Sequence, residues 1–289
     1  MFFAFPHLSN HSELDLNDLN LCENNKEQIW IWLAGTLLCF LVGFPASVAI
    51  LWDMFKSRRD GNFLTPHSFF LLNLTIMDAV FMFFIPPGFL NYLLLHDLKF
   101  DAIWNFVYAL NLCGRPLTMA CICLDCYLAV VHPITYHQRK SLTPRVILVS
   151  LVWTLTIASG LGYAFDYTLF ATMFPTVPYL VAVVIIGVCD FFIIYTLIKS
   201  DPSNNTIHPQ KRRALQTVIN SLVMTLISYL PPLLIYCIAI PQFSAQNFSC
   251  IFSIPASITT TLGSAVMPLL HLNNLGKLEH FMFGCCRKD

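Results

Sequence analysis

Seven long apolar stretches, separated by short polar segments, run the length of this chain. They are Trp30–Trp52, Ser68–Leu94, Ala102–His132, Val146–Ala164, Pro178–Ile198, Ala214–Ile240 and Ile251–Leu272. A bilayer core of roughly 30 Å needs about 20 mostly apolar residues to cross it as a helix. Hydrocarbon offers no partner for a backbone N–H or C=O, so each stretch must satisfy its hydrogen bonds internally. The pattern predicts an all-α membrane protein, a seven-transmembrane helix bundle. A short amphipathic stretch, Leu275–Phe283, follows the last span and predicts an eighth helix along the membrane surface. Residues 1–27 read as an outer N-terminal segment, 28–273 as the membrane domain and 274–289 as a cytoplasmic amphipathic helix and tail.

Basic charge orients the bundle. Of the sixteen Lys and Arg, thirteen follow the odd-numbered spans 1, 3, 5 and 7: Lys56, Arg58, Arg59, Arg139, Lys140, Arg145, Lys199, Lys211, Arg212, Arg213, Lys277, Arg287 and Lys288. Lys26 and Lys99 fall on the other side, and Arg115 lies inside span 3. Short cytoplasmic loops carry the excess of Lys and Arg. The N-terminus is therefore expected outside and the C-terminus inside, in the plasma membrane. The sequons at Asn10 and Asn247 fall outside and are expected to be glycosylated. Those at Asn73 and Asn204 fall in a helix and a cytoplasmic loop and read as chance matches. The first residues lack the basic flank of a cleavable signal, and Glu13, Asp15 and Asp18 follow them. Span 1 is expected to act as its own insertion signal.

Composition adds little beyond this. The zero net charge averages two faces of opposite character, and with 11% charged residues there is little mass outside the membrane. No loop is long enough to bury a core of its own. Most of the eleven cysteines lie in or beside spans, where they read as small buried hydrophobes. Cys22 and Cys250 alone fall outside, where an oxidising exterior favours a bridge between them; the alternative is two free thiols. Cys285 and Cys286 follow the amphipathic stretch at the cytoplasmic face and are expected to be palmitoylated. There is no metal-ligand spacing and no nucleophile–base pair, so neither metal, cofactor nor enzymatic activity is expected. Nothing in the chain marks a nucleic-acid partner.

Several spans carry landmarks that resemble those of rhodopsin-like (class A) G-protein-coupled receptors. They are Gly43-Phe44-Pro45-Ala46-Ser47, Leu72-Asn73-Leu74-Thr75-Ile76-Met77-Asp78, Trp153, Ser228-Tyr229-Leu230-Pro231 and Met267-Pro268-Leu269-Leu270-His271. The most specific is the end of span 3, Leu124-Asp125-Cys126-Tyr127-Leu128-Ala129-Val130-Val131-His132-Pro133. The phrasing is most similar to the branch holding purine, lipid, peptide and protease-activated receptors. The resemblance assigns Asp125, Cys126, Tyr127, Asp190, Tyr229, Pro231, Pro268 and His271 to activation-motif positions. Departures accompany the match. The arginine of the Asp-Arg-Tyr motif is Cys126, the asparagine of span 1 is Ser47, and the span-6 tryptophan is Tyr229. Asparagine and tyrosine of the span-7 motif are Met267 and His271. The cysteine that opens span 3 is Asp101, and the outer loop around Asp166–Thr176 has no cysteine to bridge to it.

Charges inside hydrocarbon are costly, and each is a functional-site hypothesis by default. In the family the aspartate matching Asp78 helps hold a sodium ion with polar groups from spans 3 and 7. Here the span-3 position of that pocket is Arg115, and Met267 removes a further polar ligand. The resemblance therefore implies an Asp78–Arg115 ion pair in place of the cation. The alternative is an Arg115 that snorkels or faces water. Asp190 is expected either to meet His271 near the cytoplasmic end or simply to meet cytoplasmic water. With cysteine at position 126, Asp125 is left without the neighbouring arginine that contacts it in the family. By the family's geometry Tyr108, Leu112, Tyr229, Pro232, Tyr236 and Ser257 would line an outer cavity, though each is equally readable as helix packing. Such a lining suits a neutral or lipid-like ligand.

The resemblance implies a signal receptor at the plasma membrane, with an extracellular ligand and a heterotrimeric G protein as partners. A non-signalling decoy or partner receptor is the alternative. A channel or transporter needs a polar pathway or broken-helix repeats, and the sequence shows neither.

Overall fold

The structure is a computed structural model, and it describes residues 26–61, 66–95, 97–138, 142–165, 169–199, 209–239, 253–274 and 276. The sequons at Asn10 and Asn247, the Cys22–Cys250 pair, the amphipathic stretch after span 7 and Cys285–Cys286 lie outside the described residues.

All described elements are helical. They are α1 (Lys26–Arg59), α2 (Pro66–Leu90), α3 (Leu98–Ala109), α4 (Arg115–Val131), α5 (Pro133–Gln138), α6 (Thr143–Phe165), α7 (Leu169–Lys199), α8 (Pro209–Met224), α9 (Leu230–Ala239) and α10 (Ser253–Asn274). Three π-turns join or extend them: Asn91–Leu95 after α2, Leu110–Gly114 between α3 and α4, and Thr225–Tyr229 between α8 and α9. Spans 1 and 2 are thus α1 and α2. Span 3 is α3 and α4 with their π-turn, and spans 4 and 5 are α6 and α7. Span 6 is α8 and α9 with their π-turn, and span 7 is α10.

Six of these are long and apolar enough to cross a membrane, making this a multi-pass membrane protein. Span 7 has the length but is diluted by Ser257, Thr259, Thr260, Thr261 and Ser264. Several of those hydroxyls turn back onto their own helix, as Thr261 does onto the Ser257 carbonyl at 2.8 Å. That local bond lets a hydroxyl sit in an apolar bundle without a stranded donor.

The π-turns in spans 3 and 6 sit where proline breaks the α pattern. Proline lacks an N–H, so Pro116 cannot bond the Leu112 carbonyl, nor Pro231 and Pro232 those of Ile227 and Ser228. Each turn instead closes with a bond five residues long, from Arg115 N–H to the Leu110 carbonyl and from Leu230 N–H to the Thr225 carbonyl. Span 5 runs further outward than its apolar core predicts. Residues from Leu169 onward are helix, where the Asp166–Thr176 segment reads from sequence as loop. The apolar Leu169–Phe174 run carries no turn-forming residue, and the helix continues through Pro175 and Pro178. Span 3 ends at Val131, where His132 leaves the helical region (φ −126°, ψ 60°) ahead of Pro133. Pro133 then opens the short loop helix α5.

Span 1 packs most extensively on spans 2 and 7, and the inner part of span 3 on span 5. The outer part of span 3 lies against span 4. Trp153 of span 4 donates to Asn73 Oδ1 of span 2 at 3.1 Å. Gly43 lets spans 1 and 7 touch: a Cβ there would come within 2.8 Å of the Ala265 backbone. The outward faces of the spans carry large apolar side chains such as Leu38, Phe83, Ile147, Phe191 and Leu226, as a bundle solvated by lipid requires.

Candidate functional site

The polar centre of the bundle is Arg115. It follows directly on the Leu110–Gly114 π-turn, and it is almost wholly buried, as is Asp78. Arg115 Nε lies 3.1 Å from Asp78 Oδ1. The approach lacks hydrogen-bond alignment, so neither Asp78 oxygen nor Arg115 Nε has a hydrogen-bond partner among the described residues. The attraction is charge on charge in a medium of low dielectric. The two Nη groups reach other helices. Nη1 donates to the Thr260 carbonyl of span 7 at 3.3 Å, and Nη2 to the thioether of Met224 of span 6 at 3.9 Å. The guanidinium carbon also sits 6.0 Å from the centre of the Tyr229 ring, within cation–π range. One side chain on span 3 thus touches spans 2, 6 and 7.

Gly263 makes room for it. A Cβ at that position would run into Arg115 Nη1 and Ser228 Oγ. This glycine carries no sequence signal of its own, because its need arises only when span 7 meets a guanidinium from span 3. The arrangement does not fit a sodium ion. Arg115 brings its own positive charge to Asp78, and Met267 offers only a thioether.

A narrow aromatic cavity of about 20 Å³, room for a water or two in this arrangement of the helices, lies between spans 1, 2, 3 and 7. Trp32, Phe81, Phe89, Trp104 and Tyr108 supply its rings, and Thr36, Ser257 and Thr261 supply hydroxyls. Of the six residues expected to form an outer cavity, Tyr108 and Ser257 line this one. Leu112, Tyr229 and Pro232 are not among its lining residues, and the Tyr236 side chain lies outside the described set. Tyr229 lies at the buried centre instead, its ring beside Arg115 and its backbone carbonyl accepting from Tyr179 Oη at 2.6 Å. Tyr108 connects cavity to centre. The Thr260 hydroxyl donates to the Ser257 carbonyl, so Tyr108 Oη donates to Thr260 Oγ1, at 3.1 Å.

At the end of span 3, Asp125 has an arginine partner from another helix in place of the one missing at Cys126. Arg145, at the start of span 4, donates through Nε to Asp125 Oδ1 at 2.9 Å. Tyr136 of α5 donates to Oδ2 at 3.1 Å, and its ring lies 5.1 Å from the Arg145 guanidinium carbon. Burial and the adjacent carboxylate push the Tyr136 phenol above its ordinary range, so it remains a proton donor at neutral pH. Arg145 was hidden in the sequence among the loop charges that orient the chain. Asp190 meets neither His271 nor water. It is buried and accepts from Ser221 Oγ of span 6 at 2.6 Å. Cys126 is half-buried beside this region, Tyr127 packs edge-on against Phe192, and Pro268 lies within α10.

The family pattern "7 transmembrane receptor (rhodopsin family)" matches residues 46–169. A second, "Sterol-sensing domain of SREBP cleavage-activation", matches residues 139–268. These matches make the chain a distant homologue of the rhodopsin-like class A receptors, a family without enzymatic activity. It is 27% identical over 167 residues to chemerin-like receptor 2 of Macaca fascicularis, covering 54% of this chain and 45% of the relative. It is 26% identical to a purinoceptor of Gallus gallus, covering 68% and 60%. It is 30% identical to proteinase-activated receptor 3 of Bos taurus, covering 41% and 31%. The matched stretch is thus about half or less of the first relative's length.

Removing Arg115 leaves Asp78 as a buried, uncompensated charge, a change that typically costs about 3–5 kcal/mol. Arg115→Ala is expected to reduce folded surface protein, and adding Asp78→Asn to recover part of it. Surface expression and thermal unfolding of the single and double variants measure this; a double variant no better than the single one contradicts it.

Proposed function

We propose that this chain is a plasma-membrane signal receptor, with its N-terminus outside and its C-terminus in the cytoplasm. Its ligand is neutral and largely apolar, and its transducer is a heterotrimeric G protein engaged weakly. The observation that carries the reading is the continuous contact from cavity to span 6. Tyr108 lines the cavity and bonds Thr260; the Thr260 carbonyl takes a bond from Arg115; Arg115 touches Met224 and Tyr229. A ligand that shifts Tyr108 therefore acts on a guanidinium that contacts the helix whose movement opens the cytoplasmic face. Rings with a few hydroxyls suit a lipid-like molecule, and the cavity lining holds no Arg or Lys to clamp a polyanion.

The weak coupling follows from the inner end. Cysteine at 126 has no charge and only a weak donor, so it can neither lock Asp125 at rest nor reach toward a G protein. Arg145 fulfils the first role from span 4, and nothing among the described residues replaces the second. A ligand-trapping or partner receptor that does not signal is the second reading, and Cys126 favours it. In both readings Cys22 and Cys250 form an outer disulfide, Asn10 and Asn247 carry glycans, and Cys285 and Cys286 carry palmitate.

Second-messenger output in transfected cells separates the two readings. The native chain is expected to give a small signal above empty vector, and Cys126→Arg to raise it. Native output at the vector level that Cys126→Arg leaves unchanged favours the decoy; strong native output insensitive to Cys126→Arg contradicts the weak-coupling account. Non-reducing peptide mapping of surface protein should recover Cys22 and Cys250 as one linked species, and alkylation of both as free thiols would refute the bridge.

A further inference from the structure

The π-turn of span 6 holds one residue more than an α-helix of the same length would. It is bracketed by the two residues that touch Arg115, Met224 below and Tyr229 above. Two hydroxyls on the turn, those of Thr225 and Ser228, are buried with no hydrogen-bond partner among the described residues. Buried unpartnered groups are uncommon in a settled fold and mark a place where energy is held in reserve. One helical turn below, Ser221 bonds Asp190 and neighbours the Cys123 thiol.

Releasing the extra residue toward the cytoplasm has definite consequences. With the outer half of span 6 held by Tyr179, every residue of the inner half moves into the place of the one before it. That is a rotation of about 100° and a rise of about 1.5 Å. Thr225 takes the Met224 site, so an unpartnered hydroxyl replaces a thioether as acceptor for Arg115. Leu222, now facing lipid, takes the Ser221 site and strips Asp190 of its hydrogen bond. The first change favours the shifted register and the second opposes it. The contacts that differ between the two registers thus lie at either end of the inner half.

We propose that span 6 is a two-register switch, in which the Thr225–Tyr229 π-turn converts to α-helix and carries the cytoplasmic half of the span through one residue of rotation. Arg115 and Asp190 are the two groups that weigh the registers. This names the moving element of the receptor reading, yet its test reads register alone, without ligand or transducer.

The experiment is disulfide trapping to the native Cys123, with copper–phenanthroline as oxidant and peptide mapping as readout, in membranes containing the full chain. Ser221→Cys is expected to cross-link to Cys123 in the resting register. Leu222→Cys is expected to cross-link more slowly, through the shifted register. Deleting Ile227, a partly exposed residue within the turn, leaves both halves where they rest but removes the residue to be released. The deletion should preserve the Ser221→Cys cross-link, which also reports that the variant has folded, and abolish that of Leu222→Cys. Thr225→Val, which leaves the backbone intact, should slow the Leu222→Cys cross-link about tenfold by removing a bond to a charged group, with the Ser221→Cys rate not lowered. A Leu222→Cys cross-link absent from the full chain, unaffected by the deletion, or indifferent to Thr225→Val overturns the switch.

Discussion

A guanidinium placed among helices in hydrocarbon must have its charge answered by the protein. Here Asp78 answers it, and the rest of the bundle's centre is arranged around that need. The pair need not add net stability, because desolvating two ions consumes most of what their attraction returns. What it imposes is geometry. Span 3 bends through a π-turn to deliver Arg115, span 7 carries glycine where a side chain would collide with it, and spans 6 and 7 offer a thioether and a carbonyl to its outer nitrogens. Arginine has five donors in a planar fork and cannot give up its proton. These partners leave part of that fork weakly served, which is the condition for a centre that can exchange one set of partners for another.

The same substitution logic recurs at the end of span 3. A family arginine is missing at Cys126, and a different arginine, Arg145 from span 4, meets the aspartate it would have met. The consequences differ because the origin of the charge differs. An arginine beside Asp125 in sequence would ride on span 3 and be free to turn toward a transducer. Arg145 instead ties span 3 to span 4, and through Tyr136 to the loop helix α5. Asp125 thus keeps an arginine partner, but one fixed to a neighbouring helix. Asp190 and Ser221 then form a second buried polar contact between spans 5 and 6, beside that of Tyr179 with the Tyr229 carbonyl.

Much of the architecture was legible in the sequence because lipid imposes so strict a rule. Stretches of about twenty apolar residues leave few alternatives to helices, and the described helices contain the predicted spans apart from a few terminal residues. The meeting of Asp78 and Arg115 was legible from two charges aligned with the two sides of one family pocket. What the sequence concealed depends on three dimensions. Arg145 looked like any loop cation, Gly263 like any helical glycine, and Ser221 like a packing residue. The π-turns left a trace in Pro116 and in Pro231-Pro232, but proline alone also permits a kink. Span 7 was the reverse case: its hydroxyls lower its hydropathy, and its place in the bundle comes from packing against span 1.

If Arg115 takes the place that a sodium ion holds beside the matching aspartate of related receptors, sodium has no site left to fill there. Thermal unfolding of the purified, ligand-free chain in sodium chloride and in choline chloride, at equal ionic strength, tests it most directly. The expected unfolding temperature is the same in both salts. A clear rise in sodium would contradict it, since a cation can stabilise the folded chain specifically only by binding a site that the guanidinium is argued to fill.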